Sequence, residues 1–396
     1  MQGMKKIGIF LGSDPGSGGM FQYSLAVLEA LSELPRDDYE VVVAFFNPTW
    51  QSYIEPLGLK HVSLGGETGR ELLTLGKTWR ILCLPVAPWK KFFWRLDPVA
   101  RALHDEQCNL WVFPAQDHWG YLAPVPSLVS IHDLMHRYEP QFPEVSSWGR
   151  YFLREYRFRN ICRQAKAVLV DSEVGRTHVM ESYGLSRDRI FPLPYLPPRY
   201  IYSEGLPDGF DARYALPSRF LFYPAQFWQH KNHDRLLQAI AMVRKDCPDI
   251  SLVLAGPKRY EYEQLVNRVE ELNLQDHVFF TGYVPDADLP EFYRRARALV
   301  MPTFFGPTNI PPLEAFALGC PVAISGIYGI PEQVGHAALL FDPRSIEEMA
   351  HAIFSLWRDD ELCRVLKARG MDRVKTWEKF DFNNCLSKIL SSEAIC

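Results

Sequence analysis

The chain has 396 residues, 47% of them apolar, and a formal net charge of −4. That length exceeds one ordinary core and predicts two domains; the apolar share excludes a disordered chain, and the acidic balance gives no global case for nucleic-acid binding. Eight cysteines are scattered singly with no C-x-x-C pair, so neither a zinc ribbon nor a dithiol centre is supported, and thiols used this way suit a reducing compartment.

In chain order, Ile7-Gly8-Ile9-Phe10-Leu11 is too short for a signal-peptide core and reads as a first strand. A glycine-rich loop, residues 12–19, leads into helical spacing over 20–34. Strands are predicted at 41–46, 110–113, 127–131 and 167–170. Continuous β-branched runs between amphipathic stretches point to a parallel sheet covered on both faces. No stretch has the near-20 uninterrupted apolar residues of a membrane span. The chain is therefore expected to be cytoplasmic, with room for peripheral contact at the inner face of a membrane.

Six prolines between Pro192 and Pro217 break regular structure and mark a linker. The alternation then restarts. Strands are predicted at 220–223, 251–255, 277–281, 298–301 and 322–324, and helices at 233–244, 261–272, 289–296, 312–318 and 346–357. Two such βα arrays would hold a ligand beyond the carboxyl ends of their strands.

Five stretches can carry chemistry. The loop Gly12 to Gly19 is either a flexible turn or an approach to phosphate or sugar; it lacks both the G-x-G-x-x-G fingerprint and a Walker lysine. His132-Asp133 ends a strand: the imidazole can hydrogen-bond a sugar hydroxyl and the carboxylate can orient a ring or take a proton, or the pair can be structural. Lys231, with His230 beside it, lies just before a helix, as a diphosphate-binding point charge or as a solvated cap. Thr308, Asn309 and Ile310 precede a helix opened by two prolines and are read as offering backbone N–H groups to an anion. Glu314, in that helix's first turn, can accept two ribose hydroxyls or simply favour the helix.

Taken together and in order, these residues resemble the retaining glycosyltransferases of family 4. The resemblance runs through Gly18-Gly19, His132-Asp133, Val170-Asp171-Ser172-Glu173, Lys231-Asn232, Leu254-Ala255-Gly256, Phe280-Thr281-Gly282-Tyr283-Val284, Ile310-Pro311-Pro312-Leu313-Glu314-Ala315 and Gly319-Cys320-Pro321-Val322. It implies a GT-B fold of class α/β, two Rossmann-like domains facing across a cleft. Residues 1–195 would form the acceptor-side domain and 196–374 the nucleotide-sugar domain, and a helix in 375–396 would return to the first. It implies a donor site of Gly18, Gly19, Ser172, Gln226, His230, Lys231, Val284, Thr308, Asn309, Ile310 and Glu314, with His132, Asp133 and Lys231 nearest the chemistry. Gly18 and Gly19 would approach the phosphate, His132 the sugar, Lys231 the diphosphate, the Val284 backbone the base and Glu314 the ribose.

Two positions depart from the family pattern. Gly306 stands where the first of two spaced glutamates is usual, and Gln226 where an arginine is common. The implied activity is transfer of a sugar from a nucleotide-diphosphate-sugar to a glycan or lipid-linked acceptor, in polysaccharide or lipopolysaccharide synthesis. No cofactor or metal is expected: no Asp-x-Asp metal motif is read in the sequence, so the protein itself would meet the leaving group's charge. A sugar-nucleotide epimerase of the same fold and a catalytically silent nucleotide-sugar-binding protein are the alternatives. Two further stretches bear on partners. Trp89-Lys90-Lys91-Phe92-Phe93-Trp94-Arg95-Leu96 reads as an interfacial segment or a lobe-one helix with a buried aromatic face. Arg150, Arg154 and Arg157 share a helix face, either solvated or turned to an anionic membrane or acceptor diphosphate.

Overall fold

The computed structural model describes residues 4–14, 18–65, 74–375 and 379–395. The chain divides into two compact units, one formed by Met1–Tyr138, Ser146–Leu196 and Lys379–Cys396, the other by Glu139–Val145 and Pro197–Glu378. The short segment Glu139–Val145 thus packs with the second unit although the chain on either side of it belongs to the first.

In the first unit, β1 (Lys5–Leu11), β2 (Tyr39–Phe45), β3 (Lys60–Ser63), β4 (Leu110–Phe113), β5 (Ser127–Ser130), β6 (Ala167–Val170) and β7 (Ile190–Pro192) form a parallel sheet in the order β3-β2-β1-β4-β5-β6-β7. Alternate residues of β1 feed different cores: Phe10 packs with Trp111 and Phe113, while Ile7 and Ile9 pack with Val27, Leu28 and Leu31 of the Gly19–Ser32 helix. Gly8 is required by that packing, since a Cβ there would stand 2.3 Å from the Trp111 ring. The Lys379–Leu390 helix adds Phe382, Leu386 and Ile389 to the core beneath β1, so the chain's last helix returns to its first unit.

In the second unit, β8 (Leu221–Pro224), β9 (Leu252–Ala255), β10 (Val278–Gly282), β11 (Ala298–Met301), β12 (Val322–Ser325) and β13 (Ala338–Phe341) form a parallel sheet in the order β10-β9-β8-β11-β12-β13. β9 and β11 read Leu-Val-Leu-Ala and Ala-Leu-Val-Met and are buried throughout, as strands covered on both faces must be. Phe222 stacks on Phe292 of the Leu289–Arg295 helix at 5.1 Å between centroids.

Three strands escape the sequence reading. β3 and β13 are edge strands whose residues are only partly buried, so they lack the continuous apolar run of a central strand. β7 has three residues and ends on Pro192; a proline is tolerated there because the strand lies at the sheet's edge. Among the described residues, no helix is long and apolar enough to cross a membrane, and seven cysteines are free thiols.

Candidate functional site

Each sheet has a place where the strand order reverses: between β1 and β4 in the first unit and between β8 and β11 in the second. Loops leaving neighbouring strands diverge at such points and leave room for a ligand.

In the first unit, the β1 loop carries Gly12, whose Cβ would lie 2.1 Å from Asp117 Oδ1 beyond β4. A larger residue there would have to push the Asp117 side chain aside. Gly18 has φ +63° with nothing within 4 Å of a Cβ position, and together with Gly19 it is exposed at the start of the Gly19–Ser32 helix. Pro15, Gly16 and Ser17 of the predicted anion loop lie outside the described residues, as do residues 376–378 and Cys396.

His132, just past β5, is buried. Its Nε2 lies 2.7 Å from the Pro114 carbonyl, which can only accept, so Nε2 carries the proton. Nδ1 then accepts from Tyr195 Oη at 3.0 Å. Burial pushes the imidazole below the ordinary histidine range. As placed, both ring nitrogens are taken by the protein, so the sugar contact expected of His132 requires Tyr195 to turn away. Asp133 accepts the Met135 amide at 3.0 Å and pairs with Arg154. Burial pushes its carboxyl up, but Arg154 and then the Met135 amide outweigh it and hold it below the usual carboxylate range. A carboxylate so held is a poor proton acceptor, which corrects that part of the sequence reading. Ser172 caps the Glu173–Tyr183 helix through the Gly175 amide at 3.0 Å.

In the second unit, β8 runs into residues 225–232, which turn through a short 3-10 segment, Gln229–Lys231, before the His233–Val243 helix. Asn232 makes the turn with φ +63°, a conformation that suits asparagine. Its amide donates to the Pro302 and Pro343 carbonyls at 3.0 and 2.8 Å, fixing the loop to the end of β11. Tyr223 Oη donates to the Lys231 carbonyl at 3.1 Å. Lys231 is half-buried. The His230 ring stacks on Phe305 at 3.8 Å and 13°, which joins the loops on either side of the strand reversal. Gln226 is exposed, its Oε1 accepting Trp228 Nε1 at 2.5 Å. His233 is buried between Tyr223 and Phe227, and burial, then Lys231 and His230, push its imidazole down to about 3.

Gly256, after β9, must also be glycine: a Cβ would lie 2.3 Å from the Ala225 carbonyl oxygen. Val284, two residues past β10, turns its side chain inward. Among the described residues its backbone makes no hydrogen bond, leaving that edge available to a base.

The segment before the Pro311–Ala317 helix corrects a second expectation. The Asn309 N–H donates to Gln333 Oε1 at 3.0 Å and the Asn309 carbonyl accepts Gln333 Nε2 at 2.6 Å. Pro311 and Pro312 have no N–H, and the amides of Leu313 and Glu314 bond to the Ile310 carbonyl. Thr308 is buried, and of this stretch Ile310 keeps an amide with no hydrogen bond among the described residues. The helix start therefore offers an anion fewer donors than the sequence reading supposes. Gly306 lies against Tyr328, whose Cβ would be 3.3 Å from a Cβ at 306, so the departure from glutamate accompanies a tyrosine packed over the position.

Glu314 is 4% exposed. Its Oε1 accepts Tyr200 Oη, and its Oε2 accepts Tyr293 Oη at 2.5 Å. Burial raises the carboxyl above its usual range in spite of both donors. Sequence reasoning missed both tyrosines. Tyr200 sits 114 residues away in the proline-rich linker, and no local spacing announces it.

Against the expectation that no Asp-x-Asp occurs, the chain holds one, Asp286-Ala287-Asp288. Asp288 is buried, accepting Tyr214 Oη at 2.6 Å and facing Arg213 at 3.5 Å, so it is engaged in the fold. Among the described residues, no group of three or more His, Cys, Asp or Glu side chains is arranged to hold a metal ion.

Residues 212–373 match the family described as Glycosyl transferases group 1. This region resembles a group 1 glycosyltransferase domain. It spans the loops after β8, β10 and β11 that hold Lys231, Val284 and Glu314. Among curated relatives, the chain is 28% identical over 258 residues to O-antigen chain mannosyltransferase B of Escherichia coli, covering 63% of this chain and 66% of that protein. It is 27% identical over 282 residues to mannosylfructose-phosphate synthase of Agrobacterium fabrum, covering 64% and 61%. The chain thus spans about two thirds of the first relative's length and less of the second's. Among solved structures, Anabaena HepE in complex with UDP and glucose aligns with a TM-score of 0.72 at 16% identity over 98% of this chain and 99% of that one. WaaG, a glycosyltransferase involved in lipopolysaccharide biosynthesis, aligns at 0.68 and 14%, over 98% and 100%. These likenesses establish the GT-B fold around the group 1 domain.

Proposed function

We propose that the chain is a retaining, metal-independent glycosyltransferase that moves a hexose from a nucleotide-diphosphate-sugar to a glycan or lipid-linked acceptor during cell-surface polysaccharide or lipopolysaccharide synthesis. The observation that carries the reading is the strand reversal between β8 and β11 inside the group 1 domain, flanked by the loop of Lys231 on one side and by the chain leading to Glu314 on the other. Relatives named as mannosyltransferases and structural neighbours solved with UDP support it.

In this reading the leaving diphosphate lies against Lys231, with the Ile310 amide as a further donor. The developing charge is met by a preset cation where water is scarce, which is where such stabilisation is most effective. Val284 presents its backbone edge to the base. Glu314 takes the ribose once Tyr200 or Tyr293 yields a carboxylate oxygen. The acceptor attacks from the face the diphosphate leaves, keeping the anomeric configuration. The Trp89–Leu96 segment supports a peripheral membrane contact: Trp89 and Trp94 are buried while Phe92 and Leu96 stay 59% and 68% exposed, next to Lys91 and Arg95.

The test is a thermal-shift panel of UDP- and GDP-hexoses on the full chain, followed by product analysis. A bound donor at about 100 times its Kd adds about 2.7 kcal/mol to stability. One donor is expected to raise Tm by several degrees and to give transfer with its configuration kept. No shift with any nucleotide-sugar contradicts the reading; a shift without transfer identifies a binding protein, and sugar isomerisation without acceptor an epimerase.

A further inference from the structure

Three arginines gather at the strand reversal of the first unit. Arg80 lies near the end of the Leu75–Ile81 helix, and Arg154 and Arg157 lie one turn apart on the Arg150–Gln164 helix. Tyr156 Oη ties the Arg150–Gln164 helix to the turn after the Leu75–Ile81 helix by donating to the Leu84 carbonyl at 2.6 Å, and its ring meets Tyr121 edge-on at 5.9 Å. Arg157 lies within electrostatic reach of Arg80, Arg154, Tyr121 and Asp117. Asp117 is the residue that abuts Gly12 beyond β1, and Arg154 pairs with Asp133 beyond β5. The cluster therefore borders the carboxyl ends of three strands.

What singles it out is unspent hydrogen-bonding capacity. The side chains of Arg157 and Arg80 make no hydrogen bond or ion pair with any described residue. The Nε atoms of Arg80, Arg154 and Arg157, and the Tyr121 hydroxyl, are buried without a partner. Burial, together with the like charges of Arg80 and Arg154, pushes the Arg157 guanidinium below its ordinary range. These arginines are half-buried with their Nε atoms shut away from water, and guanidinium groups left so cost stability unless a ligand meets them. Guanidinium forks match phosphate oxygens two at a time, and several forks with a tyrosine hydroxyl suit a group with more oxygens and more charge than a carboxylate.

We propose that Arg80, Arg154, Arg157 and Tyr121 form a subsite for the phosphate or diphosphate of a phosphorylated acceptor. This rests on the reading of the chain as a glycosyltransferase and names the chemical class of its acceptor.

The test is calorimetry on the full chain with UDP and GDP saturating, so that the donor's diphosphate site in the second unit is filled. The titrants are octyl diphosphate, octyl glucoside as its neutral counterpart, and phosphatidylglycerol vesicles. Octyl diphosphate is expected to bind and octyl glucoside not. Arg157→Gln and Arg80→Gln are each expected to weaken octyl diphosphate by about tenfold or more, the effect of losing one charge-assisted contact. Arg157→Lys should weaken it less, and nucleotide-sugar affinity should stay unchanged in all three. Arg157→Gln should melt no lower than the parent, since it removes a cation without a partner; Arg80→Gln, on the other helix, is the second variant. Octyl diphosphate binding that is absent, or unchanged in both variants, overturns the proposal. So does binding of the vesicles alone, which would assign the arginines to a membrane surface. A chain that binds nucleotide-sugars but not octyl diphosphate defeats this inference alone, and the converse defeats the donor reading alone.

Discussion

Glu144 Oε1 accepts the backbone N–H of Gln229 at 2.5 Å. The His230 amide reaches the same oxygen at 3.4 Å. Burial pushes the Glu144 carboxyl up, but His230 and the Gln229 amide outweigh it and keep it ionised. A carboxylate from the short segment Glu139–Val145 thus fixes the loop that presents Lys231.

Removing it should loosen that loop. Glu144→Ala is expected to raise the donor KM by about tenfold, the loss of a charge-assisted bond, with a smaller change in kcat. Glu144→Gln keeps an acceptor oxygen and should recover most of the loss. Steady-state kinetics with the donor identified by thermal shift checks this; equal KM values in Glu144→Ala and the parent contradict it.

Tyr293 and Glu314 form a buried pair that stability measurements can read. Tyr293→Phe leaves one carboxylate oxygen buried without its donor and is expected to cost about 2 kcal/mol. Adding Glu314→Gln should return part of that loss, because a neutral amide tolerates burial better than a carboxylate, and coupled neighbours are not additive. Denaturant titration of the two single variants and the double variant decides; strictly additive losses argue against the pair.

Acid should destabilise the first unit in two steps. Burial, then Arg154, push His136 down to about 4, against the pull of Glu155. A histidine depressed this way gives stability that is present above about 6.5 and is lost as pH falls toward 4. Burial pushes Glu155 up, but Arg137 and Arg159 outweigh it and hold it at about 2. Its contribution is present above the ordinary glutamate range and is lost as pH falls from roughly 4.3 toward 2. Tm should fall across both windows, and Glu155→Gln should flatten the lower one. An unchanged slope in that variant contradicts the assignment.

Much of the fold was legible because its central strands are unbroken apolar runs: β4, β6 and β11 fall on the residues their patterns predict. The edge strands β3 and β13 were not, since half-solvated backbone needs no such run. The local geometry around the candidate site was legible where a loop's shape rests on its own residues, as in the turn before the His233–Val243 helix and at Gly256. It was illegible where a partner arrives from far along the chain. Tyr200 reaches Glu314 across 114 positions, and Glu144 reaches Gln229 across 85. Asn309 shows the converse: its backbone looks available in the sequence and is claimed by Gln333 in the fold.

The central claim is that the ammonium of Lys231 meets the charge of a departing nucleoside diphosphate. Turnover of Lys231→Ala with the identified nucleotide-sugar and acceptor tests it most directly, with circular dichroism and Tm to confirm folding. Loss of such a preset donor typically costs about 100-fold or more in kcat, and that loss is expected in a variant that still melts cooperatively. A folded Lys231→Ala protein turning over within a few-fold of the parent would contradict the account.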